Sequence, residues 1–130
     1  VSRLSHFIEL HLKLVEQNPF TAQVLQIELR QSSKFMKEYN VAKFKNYLEI
    51  ISQIIADGQK AKVFNPELDV HIASRAIFGA VDEMALDWIL MRKKKYSLKA
   101  CAQMLTQMFV SGLRDKATLE DASQSQAKIA

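Results

Sequence analysis

The stretch NPELDVHIASRAIFGAVDEMALDWILMRKKK, residues 65–95, decides the fold that the sequence predicts. At about 100° per residue, its apolar side chains fall on two arcs of a helix, whereas a surface helix needs only one apolar stripe. The broad arc contains Val70, Ala73, Ile77, Ala80, Val81, Met84 and Trp88, and the second arc contains Leu68, Ile72, Gly79, Leu86 and Leu90. We therefore expect one arc to pack on the core of the domain and the other to contact a second subunit or a bound ligand.

The composition predicts one all-α domain. The chain has 130 residues, 48% of them hydrophobic, which is enough to bury a single core. It contains only 3 glycines and 2 prolines, few for a turn-rich β fold. No apolar run approaches the roughly 18 residues that span a bilayer, so we expect no membrane segment. The single cysteine, Cys101, fits a reducing compartment, and we expect a cytoplasmic protein.

Helical periodicity divides the chain into five predicted helices and a tail. The helices are expected at residues 1–17, 20–30, 34–59, 65–95 and 98–113. We expect Asn18 and Asn65, each followed by proline, to cap the second and fourth helices. A short turn at Tyr96-Ser97 would join the last two helices into an antiparallel hairpin. The composition after Arg114 predicts a frayed or mobile tail.

The sequence carries no catalytic motif that would indicate an enzyme. It has no GxSxG, no phosphate-binding loop and no glycine-rich dinucleotide turn, and we expect neither a cofactor nor a metal. The acidic pair Glu83 and Asp87 is the candidate for a metal ligand, but neutralisation by Arg92, Lys99 or Arg114 is the simpler expectation. The basic run at 92–95 fits the negative end of a helix dipole.

Residues 54–90, IIADGQKAKVFNPELDVHIASRAIFGAVDEMALDWIL, and the hairpin after them resemble the C-terminal regulatory domain of TetR-type transcriptional repressors. The residues that match the family pattern are Ile54, Gly58, Phe64, Ala76, Gly79 and Asp82. QIELRQS at 26–32 and RAIFGAVDEMALDW at 75–88 resemble the branch of fatty-acid-degradation repressors that respond to long-chain acyl-CoA. The resemblance covers residues 1–114 and implies a ligand-binding and dimerisation domain.

The resemblance also implies partners. The last two long helices of each subunit would form an intersubunit four-helix bundle in a homodimer. The expected interface residues are Ile72, Gly79, Leu86, Leu90, Cys101, Leu105, Met108 and Gly112. DNA would be bound through an N-terminal helix-turn-helix domain that this sequence does not contain. The effector would shift the dimer between DNA-compatible and incompatible states.

For the effector we expect a tunnel that holds a long acyl chain. Its expected lining is Leu25, Leu29, Phe44, Leu48, Ile51, Ile77, Phe78, Val81 and Met84. Arg30 and Arg75 are the candidates to bind the CoA phosphates, because arginine makes bidentate contacts to phosphate. Ordinary core packing is the alternative for each apolar residue. The rival functions are a sensor of another hydrophobic molecule, a ligand-free dimerisation module and a helical metal-carboxylate enzyme.

Overall fold

The described parts of the chain are helical, as the sequence predicts. The computed structural model describes residues 1–23 and 40–129. The helices are α1 (Ser2–Gln17), α2 (Pro19–Gln23), α3 (Asn40–Lys60), α4 (Val70–Leu90), α5 (Leu98–Leu113) and α6 (Lys116–Ile129). The second helix starts at Pro19 as predicted, and residues 24–30 of its predicted range lie outside the described residues. Within the described ranges, none of the helices combines the length and apolarity needed to cross a membrane.

The core forms where α1 packs along α5 and α3 packs along α4. α1 buries the face that its periodicity predicts, consisting of Leu4, Ile8, Leu12 and Val15. α4 contributes Ile77 and Val81 from the broad arc, which are at most 1% exposed. The broad arc therefore faces the core of the chain.

α4 begins later than the sequence predicts. It starts at Val70, because the carboxylate of Asp69 accepts a hydrogen bond from the N–H of Ile72 at 2.8 Å and caps the helix. The side-chain oxygen of Asn65 instead accepts from the backbone N–H two residues later at 2.9 Å, which closes a turn. The prediction that Asn65 caps this helix was wrong.

Long-range hydrogen bonds hold the backbone at Asn65. The N–H of Asn65 donates to the carbonyl of Leu113 at 2.8 Å, and the N–H of Asp115 donates to the carbonyl of Val63 at 3.1 Å. These bonds form an isolated antiparallel bridge. The side chain of Gln59 also donates to the Asn65 carbonyl at 3.0 Å. The segment is thus held in an extended form by groups distant in sequence.

α3 ends in a Schellman motif, in which the N–H of Val63 donates to the carbonyl of Gly58 at 2.9 Å. Lys62 takes the left-handed position of the motif, with φ of 60°, where glycine is the usual residue. Gly58 was expected to mark the helix end, but α3 continues to Lys60. Its role is steric, because a Cβ on Gly58 would lie 2.2 Å from the ring of Phe64.

α4 ends at Leu90, before the basic run that the sequence assigned to its last turn. The ammonium of Lys94 folds back, donates to the carbonyl of Trp88 and lies 4.2 Å from the centre of the indole ring. The indole N–H of Trp88 donates to the carbonyl of Tyr96 at 3.2 Å. The connection therefore spans residues 91–97. Its Lys94 places a positive charge at the C-terminus of α4, where the helix dipole favours a cation.

Residues 116–129 form α6, although their composition predicted a frayed segment. The stretch is polar but contains no glycine or proline, so local propensity permits a helix. Ile129, near its end, is 88% exposed. The mobility of this segment and the domain boundary at Arg114 remain predictions.

Candidate functional site

The expected tunnel residues on α3 and α4 lie at the junction of these two helices. Ile51, Ile77 and Val81 are at most 1% exposed and belong to one core cluster. Phe78 and Met84 are partly buried and pack against that cluster. The structure thus places these five side chains on the inner side of the helices, a position that suits either a tunnel wall or a packed core.

Only some of the other expected ligand residues lie among the described residues. Leu48 is half-buried on α3, and Arg75 is exposed on α4. Leu25, Leu29 and Arg30 lie outside the described residues, as does the side chain of Phe44. The α2 side of the expected tunnel therefore stays a prediction.

A polar group that the sequence analysis did not single out lies at the same junction. The hydroxyl of Tyr47 on α3 is hydrogen-bonded to Nδ1 of His11 on α1. The Tyr47 ring meets Phe78 edge-on with a centroid distance of 5.4 Å and lies 4.9 Å from the Phe7 ring. His11 and Tyr47 are 36 positions apart, so no spacing rule for a single helix could have paired them.

Burial and one carboxylate control the protonation of this pair. Burial lowers the pKa of His11, and the negative charge of Asp82 partly offsets that effect. Burial raises the pKa of Tyr47, and Asp82 raises it further. The histidine ring is therefore biased toward its neutral form and the tyrosine toward the phenol. Asp82, which matches the family pattern, acts electrostatically on both rings.

Two serines add a second polar contact between α3 and α4. The hydroxyl of Ser74, which is 1% exposed, donates to the carbonyl of Val70 at 2.6 Å. The Ser52 and Ser74 oxygens are 2.8 Å apart, so Ser52 donates to Ser74 when Ser74 donates to Val70. The pair joins the helices without leaving a buried hydroxyl unsatisfied.

The outer side of α4 and α5 carries exposed apolar residues. Ile72 on α4 and Met108 on α5 are 69% and 61% exposed, and both line a groove of about 400 Å³. Gly112 lines the same groove. We call Ile72, Met108 and Gly112 the α4–α5 face. A Cβ added at Gly79 or Gly112 would meet no atom within 4 Å, so both glycines border open space in the single chain.

Most of the expected interface residues reach the surface. Leu90 is exposed and Leu86 is half-buried, in addition to Ile72, Gly79, Met108 and Gly112. Cys101 and Leu105 are each 7% exposed and belong to the core of the chain, so they do not lie on this surface. The physical reason is the helical step: the exposed row of α5 runs through Met104, Met108 and Gly112, four residues apart, and Cys101 and Leu105 lie beside it.

One member of the acidic pair on α4, Asp87, is hydrogen-bonded to a tyrosine. The carboxylate of Asp87 accepts a hydrogen bond from the hydroxyl of Tyr96 at 2.8 Å, and that hydroxyl also lies 3.2 Å from the carbonyl of Met84. The partner shown for Asp87 is thus a phenol rather than Arg92, Lys99 or Arg114. Among residues 1–23 and 40–129, no three His, Cys, Asp or Glu side chains are grouped so that they could hold a metal ion.

Comparison with known proteins finds similar regions in bacterial regulators. The model of the C-terminal region of YsiA-like proteins, a TetR C-terminal family, matches residues 1–112. The fatty acid metabolism regulator protein of Bacillus subtilis (strain 168) is 32% identical over 114 residues, which is 88% of this chain and 58% of that protein. The chain spans less than three fifths of the length of this relative.

Two solved structures are similar to the chain in fold and sequence. The transcriptional regulator FadR from Bacillus subtilis in complex with stearoyl-CoA has a TM-score of 0.75 and 33% identity, covering 85% of this chain and 59% of that one. The fatty acid degradation regulator FadR from Bacillus halodurans has a TM-score of 0.72 and 31% identity, covering 84% and 56%.

Proposed function

This chain belongs to the TetR C-terminal family of YsiA-like proteins, and on that premise we propose that it senses an effector and forms the dimer of a transcriptional regulator. The proposed effector is a long-chain fatty acyl-CoA. DNA would be bound by an N-terminal helix-turn-helix domain outside this sequence, and the regulator would act in the cytoplasm. The relatives are described as regulators rather than enzymes, and we propose no catalytic step.

The observation that carries the proposal is the likeness to a regulator solved in complex with stearoyl-CoA. At 33% identity and a TM-score of 0.75, the likeness extends over most of this chain. The apolar positions on α3 and α4 support it, because each buried methylene of an acyl chain contributes about 0.8 kcal/mol. An effector that binds one dimer state more tightly than the other then shifts the population of states.

In the proposed site, the acyl chain lies against α3 and α4, and cations bind the CoA phosphates. The α3 and α4 wall would be formed by Leu48, Ile51, Ile77, Phe78, Val81 and Met84, with Phe44, Leu25 and Leu29 completing it. Arg75 is exposed at the α4 surface, where a guanidinium can reach a phosphate in solvent. Arg30 is the second proposed phosphate ligand.

Isothermal titration calorimetry with stearoyl-CoA tests the proposal. The chain should bind it saturably, and Arg30→Ala and Arg75→Ala should each weaken binding by roughly tenfold to a hundredfold, as expected for a charge-assisted hydrogen bond. Arg92→Ala, on the connection between α4 and α5, is the matched control and should bind normally. Unchanged affinity in both test variants would reject the phosphate assignment, and no binding by the unmodified chain would reject the effector.

The α4–α5 face supports a homodimer with an intersubunit four-helix bundle. Its exposed apolar residues and its groove would be covered by the same face of a second copy, as the twofold symmetry of a dimer requires. The open space at Gly79 and Gly112 would then be filled by helices that approach closely. In this dimer the second apolar arc of α4 would be buried against the other subunit.

Sedimentation velocity tests the dimer. The unmodified chain should sediment as a dimer, and Met108→Glu should convert it to a monomer, because burying an unpaired carboxylate is costly. Leu10→Glu is the matched control, since Leu10 is 48% exposed on α1, away from the α4–α5 face. A dimer that survives Met108→Glu, or is lost in Leu10→Glu, would contradict the proposed interface.

One observation favours a ligand-free dimerisation module as the second candidate. Ile51, Ile77 and Val81 are fully buried in a cluster that the chain forms by itself. Such a module would dimerise but give no heat on titration with stearoyl-CoA. A sensor of another hydrophobic molecule would bind that molecule with the same affinity after Arg30→Ala and Arg75→Ala.

A further inference from the structure

One buried polar atom at the junction of α1, α3 and α4 makes no hydrogen bond to the described residues. Nε2 of His11 is buried and has no hydrogen-bond partner among residues 1–23 and 40–129. Buried polar groups in proteins are nearly always paired, and an unpaired one costs folding free energy. An atom of this kind calls for a partner that residues 1–23 and 40–129 do not supply.

The neighbour of the ring decides which kind of partner fits. The phenol of Tyr47 is hydrogen-bonded to Nδ1 of His11 and has no other acceptor among the described residues, so we take the phenol as the donor and Nδ1 as the acceptor. A neutral imidazole that accepts at Nδ1 carries its proton on Nε2. The burial that lowers the pKa of His11 favours this neutral form. Nε2–H is therefore a donor, and the missing group is an acceptor.

The surrounding charge selects among acceptors. Asp82 is close enough to act electrostatically on both His11 and Tyr47. A second carboxylate brought to this place would be repelled by Asp82, whereas a neutral carbonyl oxygen would not. The chemistry thus favours the carbonyl of an ester or thioester over the carboxylate of a free acid.

The position fits the proposed acyl site. The Tyr47 ring centre lies 5.4 Å from the ring centre of His11 and 5.4 Å from that of Phe78, a wall residue of the proposed tunnel. The donor is therefore one aromatic ring away from the apolar wall.

We propose that Nε2–H of His11 donates a hydrogen bond to the carbonyl oxygen of an acyl thioester bound in the chain. The inference rests on the proposed acyl-CoA function and adds the residue that recognises the thioester. Tyr47 is a positioning residue, because it holds the proton of His11 on Nε2. The negative charge of Asp82 disfavours a free carboxylate at this place.

The test compares two ligands that differ only in the carbonyl group. Stearoyl-CoA has it, and the thioether S-octadecyl-CoA lacks it. The unmodified chain should bind the thioester about tenfold more tightly, the worth of one hydrogen bond to a buried donor. His11→Phe should bind both ligands with similar affinity, whereas His11→Gln, which keeps an N–H donor, should retain part of the preference. His6→Phe, an exposed position on the same helix, is the control and should behave as the unmodified chain.

The outcomes separate this inference from the proposed function. Equal affinity of the unmodified chain for both ligands overturns the inference and leaves the acyl-CoA function standing. A thioester preference that persists in His11→Phe also overturns it, because another group then binds the carbonyl. Stearic acid that binds as tightly as stearoyl-CoA contradicts the role of Asp82. No binding of either CoA ligand refutes the proposed function itself.

Discussion

Replacing Gly58 by alanine should destabilise the chain, although alanine is the better helix former. The added Cβ would lie 2.2 Å from Cδ2 and 2.6 Å from Cε2 of Phe64, both far inside contact distance. The ring cannot move outward easily, since Phe64 is 1% exposed and its N–H donates to the Gly58 carbonyl at 3.0 Å. Overpacking costs about 1–3 kcal/mol and can cost more, against a helix-propensity gain of about 1 kcal/mol. We expect a net loss of about 2 kcal/mol when the ring is displaced.

Urea unfolding followed by circular dichroism measures this loss of free energy. In a thermal scan the melting temperature should fall by about 8 °C, at about 4 °C per kcal/mol. The fall should not depend on protein concentration, because Gly58 and Phe64 contact each other within one chain. Adding Phe64→Leu shortens the opposing side chain, so Gly58→Ala should cost little or nothing in that background. A Gly58→Ala chain as stable as the unmodified one would refute the steric reasoning.

Three further predictions concern local groups. Lys62→Gly should raise the free energy of unfolding by about 1 kcal/mol, measured by urea titration, because glycine adopts the left-handed backbone at φ 60° without strain. Lys62→Ala keeps the strain and should give no such gain. Since the folded pKa of His11 is lowered, its stabilising contribution is complete above about pH 6.5 and is lost as the pH falls below that value. Between pH 7 and pH 5 the unmodified chain should therefore lose more stability than His11→Phe. Lys94→Met should lower the melting temperature by a few degrees, about 1 kcal/mol, by removing the cation from the Trp88 carbonyl and ring, and an unchanged melting temperature would contradict that role.

The helix boundaries show how far local sequence reasoning reaches. The start of the second helix at Pro19 follows from an Asn-Pro pair, and the same pair at 65–66 fails to start α4. The difference is tertiary, because the backbone of Asn65 is bonded to Leu113 and to the side chain of Gln59. Asp69, a capping residue further on, then begins the helix. Local capping rules give the candidates, and distant hydrogen bonds choose between them.

The candidate site also contains residues that the sequence could place and residues that it could not. Periodicity placed Ile51 on the apolar face of α3 and placed Ile77 and Val81 on one arc of α4, and the structure shows that all three are buried. The pairing of His11 with Tyr47 was outside the reach of periodicity, because each lies on its own helix and only the packing of α1 against α3 brings them together. A polar residue at the edge of an apolar helical face was the signal available in the sequence, and by itself it names no partner.

By itself, the sequence determined that the chain is all-α, and it determined that the helix over residues 70–90 carries two apolar arcs, because the 3.6-residue period is a property of the local chain. Only the tertiary structure decided which arc is internal. Ile77 and Val81 of the broad arc are buried, while Ile72 of the second arc is 69% exposed. Periodicity fixes the angle between two faces of a helix, but the direction of each face depends on contacts with α1, α3 and α5, which are distant in sequence.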